Sequence, residues 1–237
     1  MKNTQRTIKP QQYDAVPFDR YQATGIKVWD LPTRLFHWLL AACVSAAIVT
    51  AQLGGNWIDW HLRLGVATVA LLAFRLVWGV LGPRYARFAS FLYAPASTLR
   101  HLREFGTAAR HPGHSPSGAV AVFLFLGLLA AQSISGLFSS DSISTEGPLA
   151  RFASESMVEL ASWLHVTLQW AIYALIGAHI IAILLYWLVK RDNLVHAMLT
   201  GWKHGLRAAP ANDSLPVRAA GIALLAGLTA LAFLLLT

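Results

Sequence analysis

The sequence predicts an all-α transmembrane protein that crosses the bilayer five times, with its N-terminus in the cytoplasm. Three observations carry that prediction. Of 237 residues, 56% are hydrophobic and only 13% charged, against about 25% charged in a soluble domain. Mean hydropathy is +0.50. Five apolar stretches approach the length that spans a bilayer, and the Lys and Arg residues gather in alternate loops between them.

Residues 1–26 hold no apolar core of signal-peptide length and read as a polar cytoplasmic tail that is retained. The first span covers about 31–53. Asp30 is placed to cap it, and Pro32 is tolerated in the first turn, where its missing N–H would have no partner. The second span covers about 60–81. Segment 82–117 interleaves arginines with apolar residues (ARFASFLYAPASTLRHLREF) and reads as an interfacial amphipathic helix. Spans three and four cover about 118–138 and 163–189. A linker then leads to the fifth at about 219–236, so that 206–237 forms a unit of its own.

Orientation follows from counting Lys and Arg. The tail through Arg34 carries six, 82–117 five, and the stretch after span four another five, while loops 54–59 and 139–162 carry only Arg151. That bias puts the N-terminus in the cytoplasm. The outward loops hold Asp59, Asp141, Glu146, Glu155 and Glu159, and Trp57, Trp60 and Trp163 mark the outer interface. The net charge of +8 therefore reports topology, and no nucleic-acid partner is implied. Cys43 is the single cysteine, which excludes a disulfide framework, a thiolate cluster and covalent CxxCH haem attachment.

Nine histidines remain to be explained. His101, His111, His114, His196 and His204 fall in cytoplasmic segments and read as solvated or interfacial side chains; His111 and His114 could form half a metal site, but no carboxylate or cysteine accompanies them. The other four lie in spans. His37 sits in the inner half of span one and His61 at the outer start of span two, while His165 and His179 sit near the outer and inner ends of span four. His165 and His179 are 14 residues apart, about 21 Å along the axis and about 40° short of four full turns. They face one bundle interior. Depth sorts the four into an outer pair, His61 with His165, and an inner pair, His37 with His179.

Two histidines per level fit zinc poorly, since zinc wants three or four ligands. A proton relay usually includes intramembrane carboxylates, and the spans contain none. Haem fits well: its flat apolar ring belongs between helices, and two axial imidazoles leave no open position, which suits electron transfer. A single interfacial histidine is more often a bystander, so the pattern of four is what argues. Arg63 and Arg75 are the cations available to haem propionates or a quinone, with snorkelling to the interface as the alternative. Gly65 and Gly177 lie beside His61 and His179, where either a bulky cofactor or close helix approach could require them.

The segments VWDLPTRLFHWLL, WHLRLGVATVALLAFRLVWGVLGPRYARF, GHSPSGAVAVFLFLGLLAAQSISGLF, LHVTLQWAIYALIGAHIIAILL and RDNLVHAMLTGWK, in that order, resemble the bacterial cytochrome b561 family, which includes the b-type cytochrome subunits of nickel–iron hydrogenases. The resemblance covers Lys27 to Lys203. It implies a four-helix di-haem bundle over 27–205 holding two b-type haems, with iron bound by His37 and His179 in one and by His61 and His165 in the other. The fifth span is an addition to that core and is expected to flank it or to dock a membrane subunit.

The resemblance further implies a multi-pass protein of the bacterial inner membrane, acting as an electron-transfer protein or a quinone/quinol oxidoreductase. Electrons would pass between quinone and a redox partner, either a periplasmic c-type cytochrome or an iron–sulfur or hydrogenase subunit. The acidic outer loops would suit a basic region on a periplasmic partner. The alternative is a cytochrome b membrane anchor for a hydrogenase or dehydrogenase. A histidine-lined transporter is less favoured, because it predicts carboxylates or broken helices in the spans.

Overall fold

The computed structural model describes residues 25–107, 110–143 and 145–236. Most of the N-terminal tail, 1–24, lies outside the described residues. The described residues hold seven α-helices and one two-residue strand pair: β1 (Ile26–Lys27), α1 (Leu31–Leu53), α2 (Ile58–Leu81), α3 (Pro95–Arg103), α4 (Pro116–Phe138), α5 (Glu155–Lys190), α6 (Leu194–Thr200), β2 (Trp202–Lys203) and α7 (Leu215–Leu236). Five of them, α1, α2, α4, α5 and α7, are long and apolar enough to cross a membrane. None is broken by a cis peptide bond.

Local chemistry sets the helix ends. Asp30 caps α1 by accepting the Thr33 N–H at 3.0 Å, with Pro32 in the first turn. The helix stops at Gly54, whose φ of 63° suits a residue without Cβ, and whose N–H returns to the Thr50 carbonyl. Gly55, with φ 53°, opens one 3-10 turn, and α2 starts at once, giving a tight antiparallel hairpin. Ser115 caps α4 and Asn193 caps α6 by accepting backbone N–H groups.

The apolar stretches mark where the bilayer can lie, and helices run past them. α4 begins at Pro116 instead of about residue 118 and α7 at Leu215 instead of about residue 219. α2 begins at Ile58 instead of about residue 60. α5 begins at Glu155 instead of about residue 163, and its 36 residues extend about 54 Å. Its first two turns carry Glu155 and Glu159, polar enough to lower hydropathy while leaving helix propensity intact. The expected interfacial helix is α3, nine residues long, with Leu99 and Leu102 exposed and His101 buried.

α1 packs on α2 and α4 packs on α5, and α2 with α4 joins the two pairs. Leu72, Leu129 and Ile172 form a buried layer at mid-height, flanked by Leu40, Val44, Phe125 and Ile176. α7 lies on the side of the α1–α2 pair. Its Gly221 abuts Pro32 and Trp78, and Val217, Leu224, Leu225 and Leu228 cover Phe36, Leu71, Phe74 and Trp78. Asp213, just before α7, accepts the Leu31 N–H at 2.9 Å and pairs with Lys27 at 3.0 Å and Arg218 at 2.8 Å.

Asp30 also accepts Trp78 Nε1–H at 3.0 Å and the Thr33 hydroxyl at 2.8 Å, so one carboxylate ties α1 to α2. Asp30→Ala removes a cap and leaves two buried donors without acceptors, and should destabilise the protein by about 2–4 kcal/mol. Thermal unfolding of the detergent-solubilised protein measures this; Trp78→Phe, which removes only one donor, should cost clearly less.

Candidate functional site

The four span histidines face the interior at two heights. His61 lies in the first turn of α2 and His165 in α5, with ring centroids 5.9 Å apart and planes at 81°. Each ring is oriented by a backbone carbonyl. His61 Nδ1 lies 2.9 Å from the Ala47 carbonyl on α1, and His165 Nδ1 lies 2.9 Å from the Gln132 carbonyl on α4. An Nδ1–H donated to a carbonyl leaves Nε2 as the lone-pair nitrogen, the tautomer a metal needs.

α4 supplies the rest of that seat. Gln132 Nε2–H donates to the His165 carbonyl at 3.0 Å, and Ser135 Oγ lies 3.5 Å from His165 Nδ1. Gly136 abuts the His165 ring, where an added Cβ would come within 2.8 Å of it. Sequence reasoning did not single out these residues. Their signal was visible: Gln132, Ser133 and Ser135 are polar side chains in an otherwise apolar helix, and such residues in a span usually have an assigned partner.

At the other height, His37 on α1 lies within electrostatic reach of His179 on α5. His37 Nδ1 is buried without a hydrogen-bond partner among the described residues. Phe125 packs edge-on to His179, with centroids 5.4 Å apart. The buried layer of Leu72, Leu129 and Ile172 separates the two heights, and Ile172 is seven residues from each histidine of α5.

Gly65 and Gly177 resolve an ambiguity of the sequence. A Cβ at either position would meet nothing within 4 Å, so neither glycine serves close helix approach. Gly65 lies one turn from His61 on the same face of α2, whereas Gly177, two residues from His179, lies on the other side of α5. α5 packs along α4, with no comparable contact to α1 or α2. His165 Nε2 lies 3.4 Å from Gln132 Nε2, within reach of its N–H. The carbonyl-oriented rings and the separation of α5 from α1 and α2 fit a planar apolar group bound by imidazoles. Among the described residues no three His, Cys, Asp or Glu side chains converge as a metal site of their own.

The arginines differ. Arg75 is 3% exposed and lies over the Phe88 ring at 4.5 Å. Arg63 is exposed and sits over Trp60 at 5.6 Å, away from the histidine rings. The remaining histidines divide too. His196 is exposed, as is His204. His101 is 5% exposed and bonded to the Tyr186 hydroxyl at 3.0 Å. Burial, with Lys190 and His111 nearby, holds its pKa below the usual range. His114 is enclosed by Trp29 and Phe91, with centroids at 4.7 and 4.2 Å. Burial first, then Arg75, Lys203 and His37, push its pKa down to about 3. Of the two environments expected, solvated or interfacial, the solvated one does not hold for His101 and His114, because the 82–117 segment packs them against Tyr186, Trp29 and Phe91.

Five helices long and apolar enough to cross a membrane define a multi-pass membrane protein. The comparison with known proteins makes the class specific: the profile of the family described as prokaryotic cytochrome b561 matches residues 28–201, and the chain belongs to that family. It is 22% identical over an alignment of 213 positions to the Probable Ni/Fe-hydrogenase 1 B-type cytochrome subunit of Escherichia coli K12, covering 74% of this chain and 89% of the relative. The corresponding protein of Escherichia coli O157:H7 matches to the same extent. No solved structure matches the chain. The protein is thus a membrane b-type cytochrome of electron transfer.

Gly65→Leu should lower haem content per chain while leaving helical content unchanged, because the added side chain enters open room on the His61 face and strikes no neighbouring helix. Haem-to-protein ratio and circular dichroism of the purified variant check this.

Proposed function

We propose that α1, α2, α4 and α5 form a four-helix di-haem bundle over 27–205, with α7 flanking it. In this reading His61 and His165 bind one haem b and His37 and His179 the other, and Arg63 and Arg75 supply cations for anionic groups. The observation that carries it is the His61–His165 pair, two rings 5.9 Å apart with both Nδ1 atoms turned to carbonyls. Two metal–imidazole bonds of about 2.0 Å plus the ring radii need a similar separation.

Bound haem b supplies a one-electron iron couple. The chain does the rest. Ala47 and Gln132 fix the outer rings; Gly65 leaves room; the Leu72–Leu129–Ile172 layer excludes water between the levels. The α5 helix sets the levels about 21 Å apart along its axis.

Charge sets the direction in which the bundle lies. The end bearing the N-terminus of α1, the C-terminus of α2 and segment 82–117 is basic and faces the cytoplasm. The acidic end faces the periplasm. Electrons pass between the quinone pool and a redox partner there, such as a c-type cytochrome. The named relatives favour a second reading on their own, in which the chain is the b-type cytochrome subunit that anchors a hydrogenase or dehydrogenase. Purification from native membranes separates the two: a stoichiometric metal–sulfur subunit supports the anchor.

A dithionite-reduced minus oxidised spectrum of the purified protein should show b-type bands and about two haems per chain. His61→Ala and His165→Ala should lose one component, and His37→Ala and His179→Ala the other. A wild-type chain without haem overturns the reading, as does loss of the same component in His61 and His179 variants.

A further inference from the structure

At the basic end, three buried nitrogens that lack partners among the described residues belong to residues that lie close together: Arg75 Nη1, His114 Nδ1 and His37 Nδ1. The other polar groups around them are already committed. Asp30 is the carboxylate nearest Arg75, yet it makes no ion pair with it, and its oxygens take hydrogen bonds from Thr33 N–H, the Thr33 hydroxyl and Trp78 Nε1–H. Lys203 pairs with Asp192 at 3.8 Å and donates to the His111 carbonyl at 3.2 Å. Arg75 is left as a buried cation resting on the face of Phe88, with no salt bridge among the described residues.

A buried guanidinium without a directly bonded counter-charge costs several kcal/mol, and Asp30 offsets the charge of Arg75 only without contact. What is missing is a negatively charged acceptor with free lone pairs in direct contact, at the inner histidine level. A carboxylate meets every term of that description. A quinone headgroup supplies acceptors but no charge, so it leaves Arg75 uncompensated.

We propose that Arg75 and His114 form the carboxylate pocket of the inner level, Arg75 as counter-cation and His114 as N–H donor to a propionate of the haem held by His37 and His179. This rests on the di-haem reading above and adds to it a partner for each propionate-facing nitrogen. His114 is held in place to donate: Trp29 and Phe91 clamp its ring, and its Nδ1 is buried without a hydrogen-bond partner among the described residues. Arg75 is also the chain's means of setting the potential of the inner haem. A fixed cation beside iron disfavours the extra positive charge of the oxidised form and so raises the potential. The outer level has no equivalent, since Arg63 is exposed and its charge is screened by water.

The test is a redox titration of the purified full-length protein, following the two haem components separately. Arg75→Gln should move one component to lower potential, and that component should be the one missing from His37→Ala. His114→Phe keeps the aromatic packing and should move the same component down by less; it serves also if Arg75→Gln fails to fold. Arg63→Gln should leave this component where it was. Two haems with both potentials unmoved in Arg75→Gln and His114→Phe overturn the pocket and leave the di-haem reading intact. Unmoved potentials with weakened quinone reduction would assign Arg75 to a quinone site instead. A wild-type protein with haem only at the His61–His165 level overturns both.

Discussion

Asp30 is fully buried and its carboxylate accepts three hydrogen bonds at once, and the packing of α1 on α2 rests on that arrangement. A carboxylate in a low-dielectric interior is tolerated only when its lone pairs are answered. Here the answer comes from two helices: the backbone and hydroxyl of Thr33 on α1, and the indole of Trp78 on α2, with Arg75 in electrostatic reach. The same residue that starts α1 therefore fixes how α1 meets α2. His37, two turns into α1, and Arg75, one turn before Trp78, take their positions from it. Asp213 repeats the device one step outward, joining Lys27, the first N–H of α1 and the start of α7. Around the N-terminus of α1, two acidic residues organise three spans.

α5 plays a different part. It is the one helix that carries a histidine at each level, and its rigidity converts a 14-residue interval into a separation along the membrane normal. Because it packs on α4 and leaves α1 and α2 at a distance, the bundle has a slot where histidines from opposite helix pairs face each other. The mid-height layer then divides the slot. Ile172 is 4% exposed and packs with Leu72 and Leu129 midway between the two histidines of α5, so the helix pairs touch between the two levels. Gly65 sits in a part that stays open.

Much of this was legible in the sequence because the bilayer imposes simple rules. Length and hydropathy gave the five spans, and Asp30 and Pro32 gave the start of α1. Arithmetic on helix rise placed His61 with His165. What was not legible depends on where loops fold. Nothing in HPGHSPSG signals that His114 will be clamped between Trp29 and Phe91, because those rings come from 23 residues before it and 85 before it in the chain. Hydropathy likewise cannot see that α5 continues as a helix past its apolar stretch. Arg63 and Arg75 look equivalent by spacing, 12 residues apart on one helix, and only packing shows that one is buried and the other exposed. The Gln132 and Ser135 signal was present but was overlooked in favour of ionisable groups.

The two histidine levels are not built alike, and the difference follows from which end of the bundle each occupies. At the acidic end the rings are held by main-chain carbonyls of α1 and α4. Carbonyls are neutral acceptors that fix a tautomer while adding no net charge. At the basic end His37 Nδ1 has no such acceptor among the described residues; His179 is in electrostatic reach of it, and the cations Arg75 and Lys203 act on His114. Under the proposed di-haem reading, a neutral, oriented site and a cationic, under-satisfied one would hold the same cofactor at different potentials, since charge near a buried iron is weakly screened. The positively charged end would then be the downhill side for an electron, and the burial of Arg75 would contribute to that bias.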